Sequence, residues 1–540
     1  MSYERTNIIN LLEHRINSFS EGYRQNIAII GEHSIGKTTL IKTLLSSENI
    51  KKDSIIPIYL EIKIEPFEFC IKRFIKSALF QLLESDPTLK KPHSTLLIIE
   101  DLKRTHPKTA NICARVLQDI EKNRFDEAYS FMMDITANIY EETKKRPLVI
   151  LDEFHNLENF MLRHPFSMLA RKIMIQKDTM YLLLSSKNAV GQRIIDEKLS
   201  MLFGNFEKIL LPPFDIFMSR SFIQDNLAEV IKLPQVYIDY ISSFSGNKPL
   251  YMKILCDEIK RIVLSKEVDP SDIKEVIKIS FLNCIFKKTG IINQMFSNFF
   301  VRISDGKLQS RSAAVLIALS SENKKQDDIT KTCRMQKKDV SKILNRFMEM
   351  DILSRNGSMY RFKDRLFFFW IRSVYLKRIM SFSIDEMLEE EYFKKEMSSH
   401  LDEFMEEFEK EFSSRIMGLF KLFKNDVIQL NGRKHKFLLF DEVGMLKENF
   451  SNSTNILAAN SKTQWLCTIK KDYVTENDLL DIMDNIKKKR QETKLNRLIL
   501  ISLSGIHENA YLLAKEAKFW IWNLESLNIL MELYSKPHIG

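Results

Sequence analysis

A chain of 540 residues with 81 Lys and Arg against 71 Asp and Glu, formally +10, and with 44% hydrophobic and 28% charged residues, has the composition of an ordinary soluble protein. It is too long for one hydrophobic core, which predicts about four domains, and no window of ~18 uncharged apolar residues reads as a membrane span. Glu4, Arg5, Glu13 and His14 stand where a signal peptide needs an apolar block, so the cytoplasm is the expected compartment; six scattered cysteines, Cys70, Cys113, Cys256, Cys284, Cys333 and Cys467, lack the close pairs of zinc sites and disulfide scaffolds.

The first informative stretch is NIAIIGEHSIGKTTLIKTLL, residues 26–45. Its apolar run Ile27 to Ile30, then a loop, then apolar residues at helical spacing predict strand, loop and helix. The loop is G-x-x-x-x-G-K-T, with Gly31, Glu32, His33, Ser34, Ile35, Gly36, Lys37, Thr38 and Thr39 as the phosphate-binding segment. Glycines let backbone N–H groups turn inward around phosphates, the helix start adds its positive dipole end, and Lys37 supplies a charge for the β and γ oxygens. Thr38 is the expected magnesium ligand. The implied cofactors are ATP and Mg2+. Residues 54–62, SIIPIYLEI, read as a second core strand.

RPLVILDEFHNL, from Arg146, predicts a buried strand Leu148 to Leu151 followed by Asp152 and Glu153. In P-loop enzymes the first carboxylate sits at magnesium, and a following glutamate polarises the attacking water. Asp152 is therefore the expected metal residue and Glu153 the base. A further strand, Met180 to Leu184, stops at Ser185, Ser186 and Lys187, and Ser186 is assigned to sensing the γ-phosphate. KILLPPF, residues 208–214, is read as the last strand. Strands alternating with helical stretches predict an α/β fold, a P-loop NTPase parallel sheet with helices on both faces, over residues 1–213.

With these motifs in place the chain resembles the archaeal ATPase family, a branch of the STAND class of signal-transducing P-loop NTPases. The resemblance rests on YERTNIINLL, GEHSIGKTTL, LVILDEFHNL, YLLLSS, the segment from Leu211 to Ile223, and SGNKPLY from Ser245 to Tyr251. It implies a helical lid over residues 214–300, with Gly246 and Pro249 against the nucleotide base. Many relatives carry Gly-Ser where this chain has Ser185, Ser186 and Lys187, a departure at the sensing position.

Residues 301–380 contain three short helical stretches and a hairpin whose turn is marked by Arg355, Asn356 and Gly357, the pattern of a winged helix. Its third helix carries Lys337, Lys338, Lys342 and Arg346, candidate contacts to duplex DNA through phosphates and not through bases. In STAND-class relatives the same module packs on the nucleotide domain as part of the switch. After an acidic helical stretch, Glu389 to Glu411, the region within 381–540 resembles a PD-(D/E)XK nuclease fold, which relatives carry at this end. That resemblance matches Asp441 and Lys470 to the site and puts Thr468 where the second carboxylate belongs. A neutral hydroxyl is a weak ligand for a hard dication, so a degenerate, inactive nuclease site kept for binding is expected. Glu411, from the preceding helix, is a candidate substitute ligand, which leaves a rescued site as the alternative.

Three functional readings follow from the sequence. The chain is an ATP-driven switch associated with DNA, in genome maintenance or defence against mobile elements; or a signalling scaffold that binds protein partners or itself, without nucleic acid; or an active magnesium-dependent nuclease coupled to the ATPase.

Overall fold

The structure is a computed structural model that describes residues 5–85, 94–199, 206–304, 309–321, 324–380, 386–446, 453–492 and 495–539. The chain divides into two compact units. The first comprises residues 1–222 with 247–253 and 349–351, and the second comprises 223–246, 254–348 and 352–540. No helix among the described residues is long and apolar enough to cross a membrane.

The first unit is built on five parallel strands: β1 Asn26–Ile30, β2 Ile55–Glu61, β3 Arg146–Asp152, β4 Met180–Ser185 and β5 Phe206–Leu210. They lie in the order β2-β3-β4-β1-β5. Every residue of β1 and β4 is buried. That burial on both faces is why these strands read as unbroken apolar runs and not as alternating ones. One face packs on Leu12, Ile16, Ile41 and Leu44 of the flanking helices. Against the other face lies a larger core built from the four helices Phe67–Ser85, Thr95–Thr105, Pro107–Glu121 and Phe125–Thr143, all inserted between β2 and β3.

Several strand boundaries differ from the sequence expectation, three of them near the loop. Asp152 is the last residue of β3 and not the first after it, and Ser185 still belongs to β4. The strand expected over 208–214 is Phe206–Leu210, because Pro212 and Pro213 cannot donate to a ladder.

In the second unit the helices Gln309–Ser320, Gln326–Cys333 and Lys337–Glu349 precede a hairpin of β6 Leu353–Asn356 and β7 Met359–Phe362. Arg355 and Asn356 lie within β6, so the turn falls on Gly357 and Ser358. The hairpin tip is seated on β8 Asp426–Leu430. Ser358 donates its N–H to Val427 O at 2.8 Å, and Asn356 exchanges two hydrogen bonds with the Gln429 backbone. Gly357 sits at φ +59°, and a Cβ there would stand 1.9 Å from Val427 O, so no other residue fits without displacement.

β8 pairs with β9 Arg433–Phe437. The remaining sheet is mixed, in the order β10 Glu442–Met445, β11 Thr454–Ala459, β12 Gln464–Lys470, β13 Arg497–Ser502 and β14 Phe519–Trp522. The first three run antiparallel and the last three parallel. Aromatic rings of Phe420, Phe437, Phe440, Trp465 and Trp522 fill its core.

Candidate functional site

The pairing register sets the site. Ile30 at the end of β1 pairs with Ser185 of β4, and Leu151 of β3 pairs with Leu183, so the C-terminal ends of the three central strands lie side by side. From β1 the chain turns at Gly31, whose N–H donates to Ser185 O at 3.1 Å. A Cβ at Gly31 would come within 2.7 Å of Leu211 O, which leaves room only for glycine. Ser34 adopts φ +70°, and Ile35 drives its side chain into the core beneath, anchoring the loop. His33 and Thr39 face solvent, with His33 Nδ1 2.6 Å from Ser34 Oγ.

Gly36 precedes the helix Lys37–Ser46, which aims its N-terminal N–H groups at the loop interior. The Lys37 ammonium is buried and bonds Gly31 O and Glu32 O, each at 2.9 Å. Burial pulls its pKa below the ordinary lysine value, while Glu153 and Asp152 hold it up.

Thr38 Oγ1 donates to Asp152 Oδ2 at 2.9 Å, and Tyr59 Oη donates to the same oxygen at 2.8 Å. A hydroxyl and a carboxylate already side by side are the oxygen donors a hard divalent cation takes, so the residues present fit magnesium. Glu153 follows at φ +55°, a left-handed conformation that turns its carboxylate away from the strand axis. Ser186 holds that carboxylate twice, through N–H at 3.1 Å and Oγ at 2.7 Å, and His155 Nδ1 lies 3.3 Å from it. Burial raises the Glu153 pKa, opposed by the Ser186 hydrogen bond and by Lys37. Burial likewise lowers His155 to about 3, so its imidazole is neutral; its Nδ1 also meets Ser185 Oγ at 3.0 Å.

The structure thus brings Lys37, Thr38, Asp152, Glu153 and Ser186 together. Pro249 opens the helix Pro249–Ser265 beside the loop. There Lys248 Nζ lies 3.2 Å from the Glu32 carboxylate, and Leu250 N–H meets Ser34 O at 3.4 Å. Gly246 falls in the second unit, at φ +63° after the helix Gln235–Phe244. Tyr59, His155, Lys248 and Arg5 were not singled out from the sequence. Arg5 is buried, donates to Pro212 O and lies 5.3 Å from the Phe214 ring centre; burial lowers its pKa to about 10. Tyr59 had one signal, a polar tip on an otherwise aliphatic strand.

On the helix Lys337–Glu349, Val340, Ile343, Leu344 and Phe347 are buried, and Lys337, Lys338 and Lys342 are exposed. Lys338, Lys342 and Arg346 follow at spacings of four, which puts them on one helical face. Lys337 pairs with Asp327 at 2.7 Å.

The three residues matched to a nuclease site do not assemble. Asp441 does not end a strand; it precedes β10, and its N–H bonds Ala459 O at one end of the sheet. Lys470 ends β12 at the other end, where Thr454 pairs with Ile469. Six residues of strand separate the two levels, ~20 Å at about 3.3 Å per residue. The residue facing Thr468 is Asn455, buried and accepting from Thr468 Oγ1 at 2.9 Å, while Lys470 is bound to Asp478. Neither Asn455 nor Thr468 carries a charge to hold a metal ion.

Residues 20–179 match a family model described as an AAA domain. With the strand order and the loop geometry, this part of the chain is a P-loop ATPase domain of the AAA type. No curated protein matches the chain. Similar solved structures include the Walker-type ATPase PABY2304 of Pyrococcus abyssi, at 15% identity and TM-score 0.48 over 68% of this chain and 96% of that one. The ORC2 protein of Aeropyrum pernix, in ADPNP and ADP complexes, gives 12%, 0.43, 70% and 94%. The ORC1 protein of Aeropyrum pernix in complex with DNA gives 13%, 0.38, 70% and 94%.

Proposed function

We propose that the first unit binds and hydrolyses ATP, and that nucleotide state switches the affinity of the second unit for duplex DNA. The observation that carries the ATPase reading is the continuous chain Thr38–Asp152–Glu153–Ser186 beside a buried Lys37, all at the C-terminal ends of the central strands. The loop N–H groups and Lys37 bind and orient the triphosphate, while Thr38 and Asp152 would hold magnesium. Bound magnesium supplies divalent charge against the phosphate oxygens. Glu153 orients a water for attack and takes its proton, and its raised pKa favours accepting one. Ser186 and His155 position the Glu153 carboxylate, and Ser186 is in place to exchange that contact for the γ-phosphate. Coupling requires that ATP bind one arrangement of the protein better than the other.

The DNA part rests on the basic face of Lys338, Lys342 and Arg346 in a winged-helix-like module, and its contacts are to phosphates. We read the C-terminal sheet as a nuclease-like fold without cleavage activity, since Asp441 lies at the opposite end of the sheet from Lys470 and Thr468 faces the neutral Asn455. A second reading, a STAND-type scaffold that binds protein, is favoured by the hairpin tip: its seat on β8 removes the wing as a groove contact. Titrating duplex DNA at 50 and 200 mM salt, with the Lys338→Ala/Lys342→Ala/Arg346→Ala variant alongside, separates the two. The DNA reading expects affinity that falls steeply with salt and a salt slope smaller by roughly 2–3 in the variant, about 0.9 for each phosphate no longer neutralised. No binding at the lower salt leaves the scaffold reading in force.

A further inference from the structure

We propose that the second unit carries a binding site for a small aromatic anion, in the cavity lined by Arg365, separate from the phosphate-binding loop.

The cavity has a volume of about 200 Å³. The segments that line it belong to the helix Gln235–Phe244, the β7 hairpin strand with the helix after it, the helix Glu386–Glu409 and the last residues described. Its apolar walls are aromatic: Phe244, Phe362, Phe368 and Phe404. Rings of this kind accept a planar ligand by stacked or edge-on contact, at about 0.5–1.5 kcal/mol per ring pair beyond area burial.

The charges on the lining are unequally matched. Arg361 is paired with Glu532, and Lys536 lies 3.3 Å from Glu407. Arg365 forms no ion pair among the described residues. Its guanidinium donates to Ser243 Oγ at 3.1 Å, to Ser243 O at 3.5 Å and to His538 Nε2 at 3.2 Å, all neutral acceptors. His538 accepts that bond because it is unprotonated; burial and the neighbouring arginines hold its pKa at about 4. His400, which also lines the cavity, is lowered by burial and by Arg372 and Arg365, so it adds no charge at neutral pH. Glu403 is exposed and bonded to Ser399 at 3.3 Å.

A guanidinium has five N–H donors, and three contacts to neutral groups leave donors for an incoming carboxylate, sulfonate or phosphate. Desolvation opposes the Arg365 charge more than the nearby Glu532 supports it. An anion bound there returns the lost compensation, whereas a neutral ring of the same shape gains only the stacking.

The test is isothermal titration of the full chain with 2-naphthoate, a planar aromatic carboxylate, and with 2-naphthalenemethanol, its neutral counterpart. Expected is saturable one-to-one binding of the naphthoate, at least tenfold tighter than the alcohol on the wild-type protein. Arg365→Gln should weaken naphthoate binding at least tenfold and leave the alcohol unchanged. Lys37→Ala should leave both unchanged. Equal affinity for acid and alcohol, absence of saturable binding up to millimolar naphthoate, or loss of naphthoate binding in Lys37→Ala would each overturn the assignment. The acid-to-alcohol comparison uses only the wild-type chain, so it decides even if Arg365→Gln fails to fold.

Discussion

Replacing Glu153 with glutamine separates chemistry from binding at the proposed ATPase site. The carbonyl of the substituted amide can still accept from Ser186 Oγ and N–H, which bond the glutamate at 2.7 and 3.1 Å, and the left-handed backbone at φ +55° is untouched. What disappears is a half-buried negative charge that desolvation already opposes. Folding stability should therefore hold or rise slightly. ATP affinity should stay within about threefold, because the groups that grip phosphate, Lys37, Thr38 and the loop N–H groups, are elsewhere. The loss falls on proton acceptance from water, which a positioned base accelerates by roughly 10²–10⁴-fold. At 1.36 kcal/mol per decade that is ~2.7–5.4 kcal/mol of barrier. Single-turnover hydrolysis of radiolabelled ATP by both proteins, beside equilibrium binding of a fluorescent ATP analogue, reads the two quantities apart. Hydrolysis within threefold of wild type would falsify the role of Glu153 as base, and loss of binding would show that it serves the nucleotide pocket instead.

Other substitutions test other levels. Lys37→Ala should weaken ATP binding at least a hundredfold in the same fluorescence assay, since it removes the ammonium that the loop holds at Gly31 O and Glu32 O. Gly357→Ala should destabilise the second unit by roughly 1–3 kcal/mol, through the 1.9 Å clash with Val427 O and the positive φ, read as a lower melting temperature with nucleotide binding intact. Asp426, buried and bonded to Lys325 at 2.7 Å, to Tyr534 and to Lys424 N–H, has a pKa held below the ordinary aspartate value by the Lys325 and Tyr534 hydrogen bonds against burial. Its stabilisation is complete above the unfolded pKa of about 3.9 and is lost as pH falls through the folded value. Asp426→Asn should thus cost about 1.5–3 kcal/mol at pH 7 by urea denaturation, a gap that narrows below pH ~4.

The nucleotide site was legible because phosphate chemistry demands particular residue types at contiguous positions: the loop from Gly31 to Thr38 and the pair Asp152 and Glu153. Parallel strands buried on both faces also announce themselves as aliphatic runs, as β1 and β4 do. What sequence could not give was register. KFLLF before Asp441 looks like a buried strand ending in a carboxylate, yet β9 stops at Phe437 and the next ladder begins at Glu442. The partner of Thr468 is Asn455, thirteen positions upstream, and only the antiparallel ladder reveals that pairing. His155 and Tyr59 escaped notice for a related reason. Tyr59 reaches the Asp152 carboxylate only once β2 lies beside β3, and His155, two residues from Glu153, meets Ser185 only once β4 lies beside β3. For Arg5, the two neighbours that define it, Pro212 and Phe214, are more than two hundred positions away.

The seat of the β6–β7 tip on β8 constrains how this polypeptide can be divided. A fragment ended at Met380 would strip Ser358 N–H of Val427 O and the Asn356 amide of its Gln429 partners. The small hairpin would then present a bare strand edge, the kind of surface that recruits foreign strands and drives aggregation. Anyone trimming the basic helical module for crystallisation should keep residues 309–437 on one piece.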